Sequence, residues 1–204
     1  MRTIEISLDD DLAEYLEWEG SQSGLALQQF IGTILRNRAE RPRQWMPRAE
    51  WKALTSGDDC PICRSLATSE WADPHGFTIA DLRLSRLRLV RNQSVPGYCV
   101  LLCREHVVEP YGLSDDKRLL FWEDTLRAAE AIAEVFQPDK MNIQILGNAV
   151  PHLHSHIIPR FYGDWAPGRP IDPSERTVLL KQAEYKERVV LIRTALAGQS
   201  RTRH

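Results

Sequence analysis

Pro151–Arg160 reads PHLHSHIIPR and sets three histidines at alternate positions, in a chain of 204 residues that holds six. A period of two is the mark of a strand, on which successive side chains point to opposite faces. His152, His154 and His156 therefore share one face, spaced about 6.5–7 Å per step. Leu153, Ser155 and Ile157 take the other. Three imidazoles so placed can surround one small anionic group. A neutral imidazole is a nucleophile, and a protonated one donates from both nitrogens to phosphate oxygens or to a leaving group. A solvated polar face explains one such histidine better than three in register. Rows of histidines also hold catalytic zinc, so a three-His metal enzyme stands as a rival.

The rest of the chain sets limits. A hydrophobic content of 43% supports one core with room for an appendage. A net charge of −2 gives no field for gripping nucleic acid or an anionic membrane. Apolar runs such as Val189–Ile192 are far too short to span a bilayer. The opening MRTIEISLDDD turns acidic where a secretory segment turns apolar, so a cytoplasmic protein with reduced cysteines is expected. Cys60-Pro61-Ile62-Cys63 is then a metal or redox candidate before it is a disulfide. Cys99 and Cys103 alternate along a strand and read as small buried apolar residues.

The chain divides into three regions. Residues 1–40 read as a strand (RTIEISL) and two helices, from Asp9–Asp11 to about Trp18 and from Leu25 to Arg38. That order resembles the ribbon-helix-helix dimerisation fold. The segment carries three arginines against eight acids, and Glu5 lies where a phosphate-rich partner would approach, so pairing or docking is expected rather than DNA reading. Residues 41–59 read as a linker. Residues 60–204 read as the second domain, with strands at FTIADL, SRLRLVRNQ, GYCVLLCRE, KMNIQIL and HLHSHII. Ser114 caps a long helix, Asp115–Phe136, with an apolar face through Leu119, Trp122, Leu126, Ala129, Ile132, Ala133 and Phe136. Pro173-Ser174 opens a last helix running to about Ala197. Mostly antiparallel strands with one long helix packed on them make an α+β class.

Taken with its surroundings, HLHSHII resembles the His-φ-His-φ-His-φ-φ signature of the histidine triad (HIT) superfamily of nucleotide hydrolases and transferases. The Cys-x-x-Cys start agrees, as do Pro96-Gly97 before a buried strand ending in REH, GLS opening a helix, and KMNIQILGNAVPHLHSHIIPR. The likeness runs from about Cys60 to Asp164.

This resemblance implies a HIT-like sheet and a catalytic set of His154, His156 and His152. His154 would attack the α-phosphorus of a nucleotide, forming a covalent nucleotidyl-imidazole that water then hydrolyses to a nucleoside monophosphate. His156 would bond the leaving group or a non-bridging oxygen, and the His152 carbonyl would fix the tautomer of His154. The triad ends in His rather than Gln, which favours hydrolysis over transfer. Dinucleoside polyphosphates or nucleoside phosphoramidates and related conjugates are the implied substrates. The alternative is a non-catalytic nucleotide sensor with an N-terminal interaction element. Asn148, Asn92 and Tyr98 are the implied substrate contacts, each a departure from the family's usual residue or spacing. Ser155 stands where the family is apolar. The resemblance also implies a structural zinc on Cys60, Cys63, His106 and His152, no organic cofactor, and a homodimer. A turn with two free thiols and a redox dithiol are the other readings of Cys60 and Cys63.

Overall fold

The computed structural model describes residues 7–22, 24–40 and 46–199, in two compact units that divide between Met46 and Pro47. In the first unit, α1 (Asp10–Gln22) and α2 (Leu27–Glu40) form a helical pair. Asp9 caps α1 by accepting from the Leu12 N–H at 2.9 Å. The helix runs through Gly20, which sits against Phe30; a Cβ there would lie 3.3 Å from the Phe30 Cβ. The expected N-terminal strand falls on residues 1–6, outside the described residues, and Ser7 and Leu8 are not in a strand.

The second unit begins with two short helices, α3 (Arg48–Ser56) and α4 (Pro61–Leu66). The first of these corrects the expected linker: a run of helix formers around Trp51 ends at Gly57, whose left-handed φ of 91° closes α3. Six antiparallel strands come next, β1 (Ala72–Asp73), β2 (Gly76–Asp81), β3 (Ser85–Val90), β4 (Cys99–Cys103), β5 (Lys140–Gln144) and β6 (His154–Arg160), in the spatial order β1-β2-β3-β4-β6-β5. The helix α5 (Asp115–Phe136) connects β4 to β5, and α6 (Gln182–Gln199) ends the described chain. The last helix starts later than expected. Pro173–Glu175 forms one 3₁₀ turn, Arg176–Lys181 is irregular, and α6 opens only at Gln182.

Register decides which side chains meet. On one face Leu87, Leu89, Cys99, Leu101, Cys103 and Ile157 pack beneath α5 and α6 as the core, all fully buried. Burying such side chains contributes about 1.5–3 kcal/mol each. The opposite face carries Arg86, Arg88, Val100, Leu102, His154 and His156, because Arg86 pairs with Leu102, Arg88 with Val100, and these in turn with His154 and His156.

The face that α5 buries also differs from the expected one. Phe121, Asp124, Thr125, Ala128, Ala131 and Ile132 face the sheet, while Leu119, Trp122 and Leu126 are 65%, 40% and 58% exposed. Small alanines let the helix lie close to the sheet. Asp124 joins them because its carboxylate accepts the Leu84 backbone N–H at 2.8 Å.

Candidate active site and metal centre

Two backbone bonds extend the β4–β6 pairing beyond its strands. Cys103 N–H donates to Leu153 O at 3.0 Å, and Leu153 N–H donates to Val107 O at 2.7 Å. They set His152 beside His106 and leave His154 and His156 farther along the sheet. The row of histidines thus serves two places.

At the first, Cys60 is the N-cap of α4, Pro61 its first residue, and Cys63 the third, whose N–H points at the Cys60 sulfur from 3.5 Å. His152 Nδ1 lies 3.4 Å from Cys60 Sγ and 3.5 Å from Cys63 Sγ; His106 Nδ1 lies 3.3 Å from Cys63 Sγ and 3.1 Å from His152 Nδ1. All four donors fall within 4.8 Å of one another. A tetrahedral ion with metal–nitrogen and metal–sulfur bonds of about 2.0–2.3 Å requires donors about 3.3–3.8 Å apart. The set fits.

The outer partners fit as well. His152 Nε2 donates to Cys103 O at 2.8 Å and His106 Nε2 to Thr55 O at 3.0 Å, so each ring turns Nδ1 inward with its lone pair free. Burial holds His152 down to about 4, keeping it neutral. Burial and the neighbouring Cys60 push the Cys63 thiol up to about 11, so a bound cation must displace its proton. Gly57 makes room for His106: a Cβ at Gly57 would lie 3.2 Å from the imidazole. The four side chains can hold a metal.

At the second place, His154 Nδ1 donates to His152 O at 2.6 Å, which leaves its Nε2 with the lone pair. The ring is 9% exposed, and burial lowers its basicity. His156 stands edge-on, 4.9 Å between ring centres. Burial, and after it the neighbouring His154, hold His156 down to about 4. Behind the pair Ser155 is wholly buried, and among the described residues its hydroxyl makes no hydrogen bond. The small side chain fits under α5 where an apolar one was expected.

The implied substrate contacts divide. Tyr98 is buried, its hydroxyl 2.6 Å from His156 Nδ1. It also lines a cavity of about 270 Å³ together with Ile62, Ser65, His75, Arg88 and Leu102. Asn148 is exposed in the loop between β5 and β6, outside that lining. Asn92 is a correction: its amide donates to Pro173 O at 2.8 Å and Arg176 O at 2.7 Å, and accepts from Ser94 and Val178 N–H. Every hydrogen-bonding position of that amide is filled, so it staples the 173–178 loop and has nothing left for a ribose.

Arg88 went unread in the sequence. It bonds Asp73, donates to Ser65 Oγ at 2.7 Å and to Gly76 O at 2.8 Å. Burial alone would raise Asp73, but the bonds from Arg88, His75 N–H and Ser65 outweigh it and hold the carboxyl well below the usual range. Arg86 donates to Thr68 O at 2.8 Å, just beyond α4, and to Ser65 O and Leu66 O at 3.4 Å at its end, and pairs with Asp81. The alternation SRLRLV put both arginines on one face; only the register with β4 puts that face with the histidines. Arg160 and Asp164, beside the triad, pair at 2.6 Å and brace their own loop.

Comparison with known proteins names the class this geometry defines. A family model described as the HIT domain matches residues 75–163. The chain is 23% identical over 114 residues to the protein hit of Bacillus subtilis (strain 168), across 51% of this chain and 72% of the relative. A solved histidine triad protein from Bradyrhizobium japonicum is 29% identical with a TM-score of 0.56, over 60% of this chain and 91% of that one. One from Marinobacter aquaeolei VT8 is 26% identical with a TM-score of 0.56, over 61% and 90%. A Zn-bound histidine triad family protein from Mycobacterium smegmatis shares the fold at 22% identity and a TM-score of 0.51, over 70% and 96%.

Residues 75–163 therefore match the histidine triad domain, and the α+β fold is the one seen in the solved histidine triad proteins. Among the described residues no helix is long and apolar enough to cross a membrane.

Proposed function

We propose that the chain is a nucleotide hydrolase that cleaves a phosphoanhydride or phosphoramidate at the α-phosphorus through His154. The 2.6 Å bond from His154 Nδ1 to the His152 carbonyl carries this reading, because it fixes the nucleophilic lone pair on Nε2. In the first step the Nε2–P bond forms as the bond from phosphorus to the leaving group breaks; a phosphate oxygen departs with the electron pair as the anion, and an amine nitrogen, protonated from solvent, departs as the neutral amine. His154 becomes a substituted imidazolium whose Nδ1–H stays on the His152 carbonyl. Water then forms a P–O bond and releases a proton to solvent, the N–P bond breaks, and the pair returns to Nε2. Dinucleoside polyphosphates and nucleoside phosphoramidates are the substrates we put first, with the 270 Å³ cavity receiving part of the nucleotide.

The metal we assign is zinc, since a set of two thiols and two imidazoles suits its borderline-soft character. Bound there, it cross-links α4 to the segments carrying His106 and His152. For the quaternary state we propose a homodimer that covers the exposed Leu119, Trp122 and Leu126 of α5. Residues 1–40 we assign to pairing or docking, and Asn148 to the phosphates.

The test is incubation with a panel of adenylated and guanylated substrates, trapping a nucleotidyl-protein by mass. An adduct on His154 and release of nucleoside monophosphate are expected. Binding without adduct or product would overturn the reading in favour of a sensor.

A further inference from the structure

His154 and His156 are chemically alike in sequence but not in their contacts. One gives its Nδ1 hydrogen to a carbonyl, which can only accept. The other faces a hydroxyl, which can do either. Tyr98 immediately precedes β4, and His156 pairs with Val100 on that strand, so the phenol is brought against the ring by register. The rings stack at 25°, their centres 6.0 Å apart. Among the described residues the Tyr98 hydroxyl makes this hydrogen bond and no other.

The phenolic hydrogen sets the direction of the bond. Were His156 Nδ1–H to donate to the phenol, the phenolic hydrogen would have no protein acceptor among the described residues, at a cost of up to roughly 1–3 kcal/mol. With the phenol donating, one contact satisfies both groups. Burial favours that arrangement from both sides: it holds Tyr98 well above its usual range, so the phenol keeps its hydrogen, and with His154 it keeps His156 neutral.

We infer that Tyr98 is a positioning residue whose hydroxyl donates to His156 Nδ1, fixing the ring hydrogen on Nε2 and making that nitrogen a standing donor toward the leaving group. The two neighbouring imidazoles then present unlike atoms, a lone pair on His154 and an N–H on His156. Nothing needs to ionise first. As the phosphorus–leaving-group bond breaks, His156 Nε2–H bonds the departing atom without surrendering its proton. The assignment of the leaving group rests on the hydrolase reading; the tautomer does not.

Ring-¹⁵N-labelled protein reports the tautomer directly in long-range ¹H–¹⁵N correlation spectra. In the wild type, His156 Nδ1 is expected to resonate as a lone-pair nitrogen and Nε2 as a protonated one, with His154 reversed. A protonated Nδ1 on His156 overturns the inference without any variant. In Tyr98→Phe, which deletes one oxygen, the His156 pattern is expected to move toward a mixture of tautomers. There kcat falls about tenfold to a hundredfold, short of the 10²–10³ that removing a donor outright costs, with KM within about threefold of wild type. An unchanged tautomer in Tyr98→Phe, or a changed one with unchanged kcat, overturns it. Should both proteins show the expected spectra yet turn over no substrate, the hydrolase reading fails while the positioning role of Tyr98 stands.

Discussion

His152 hands its backbone oxygen to the Nδ1 of His154 at 2.6 Å while its own Nδ1 faces Cys60 and Cys63 at 3.4 and 3.5 Å. One residue therefore belongs to both places on the sheet. Whatever fixes its ring also fixes the carbonyl that orients the His154 ring.

His154→Ala removes the nucleophile and nothing that spans the pocket. Turnover is expected to fall at least about a thousandfold, while nucleotide affinity stays within roughly tenfold. Single-turnover kinetics and equilibrium titration separate the two effects. Turnover near the wild-type rate would remove the covalent route.

Chelation, or Cys63→Ser, strips the proposed cross-link between α4 and His152. A loss of about 3 kcal/mol corresponds to a Tm lower by about 6–12 °C for a domain of this size. Metal analysis should find one zinc per chain in the wild type and none in the variant. A catalytic three-His metal predicts the reverse order of sensitivity, with activity lost to chelator before any change in Tm.

Acid should destabilise the fold through His156. Its folded value is held down to about 4, whereas an unfolded histidine titrates near about 6.5. Between those limits the unfolded chain binds a proton that the folded chain refuses, so stability falls as pH drops from about 6.5 toward 4. Urea midpoints at intervals across that window should decline less steeply in His156→Gln. Equal slopes in the two proteins would mean that this ring is not held neutral.

Arg88→Met keeps the length of the side chain but leaves Asp73 without its cation. Removing one member of a mostly buried pair costs several kcal/mol, here about 2–3 because the Asp73 side chain is 21% exposed. Urea unfolding measures it. The 270 Å³ cavity should also lose affinity for its ligand, since Arg88 lines it.

The stripe on α5 has a test of its own. Trp122→Glu with Leu126→Glu places two charges on the proposed subunit contact, and light scattering should report a monomer where the wild type gives a dimer. A monomeric wild type would end that assignment.

What the sequence disclosed depended on how local the signal was. Asp115–Phe136 forms α5 as expected, with Ser114 at the N-cap position and Pro138 within a turn of its end, although the Ser114 hydroxyl makes no cap hydrogen bond. Its inward face was misread. Hydrophobicity marked Leu119, Trp122 and Leu126, but close packing against the sheet selected alanines and one aspartate whose partner, Leu84, is forty residues away. Cys60, Cys63, His106 and His152 were legible through resemblance, and the structure brings their donor atoms together. Asn92 was misassigned because its partners, in the 173–178 loop, are more than eighty residues distant. The bond from Tyr98 to His156 needed the register of β4 against β6, which alternation alone leaves open.

One backbone oxygen bears on how the protein can be cut down. Thr55, in α3, orients His106, and Cys60 and Cys63 come a few residues later, all upstream of the matched stretch 75–163. Excising that stretch as a minimal domain would discard half the donors and the group that aims a third. Any truncation intended to keep His154 in place has to begin no later than Pro47.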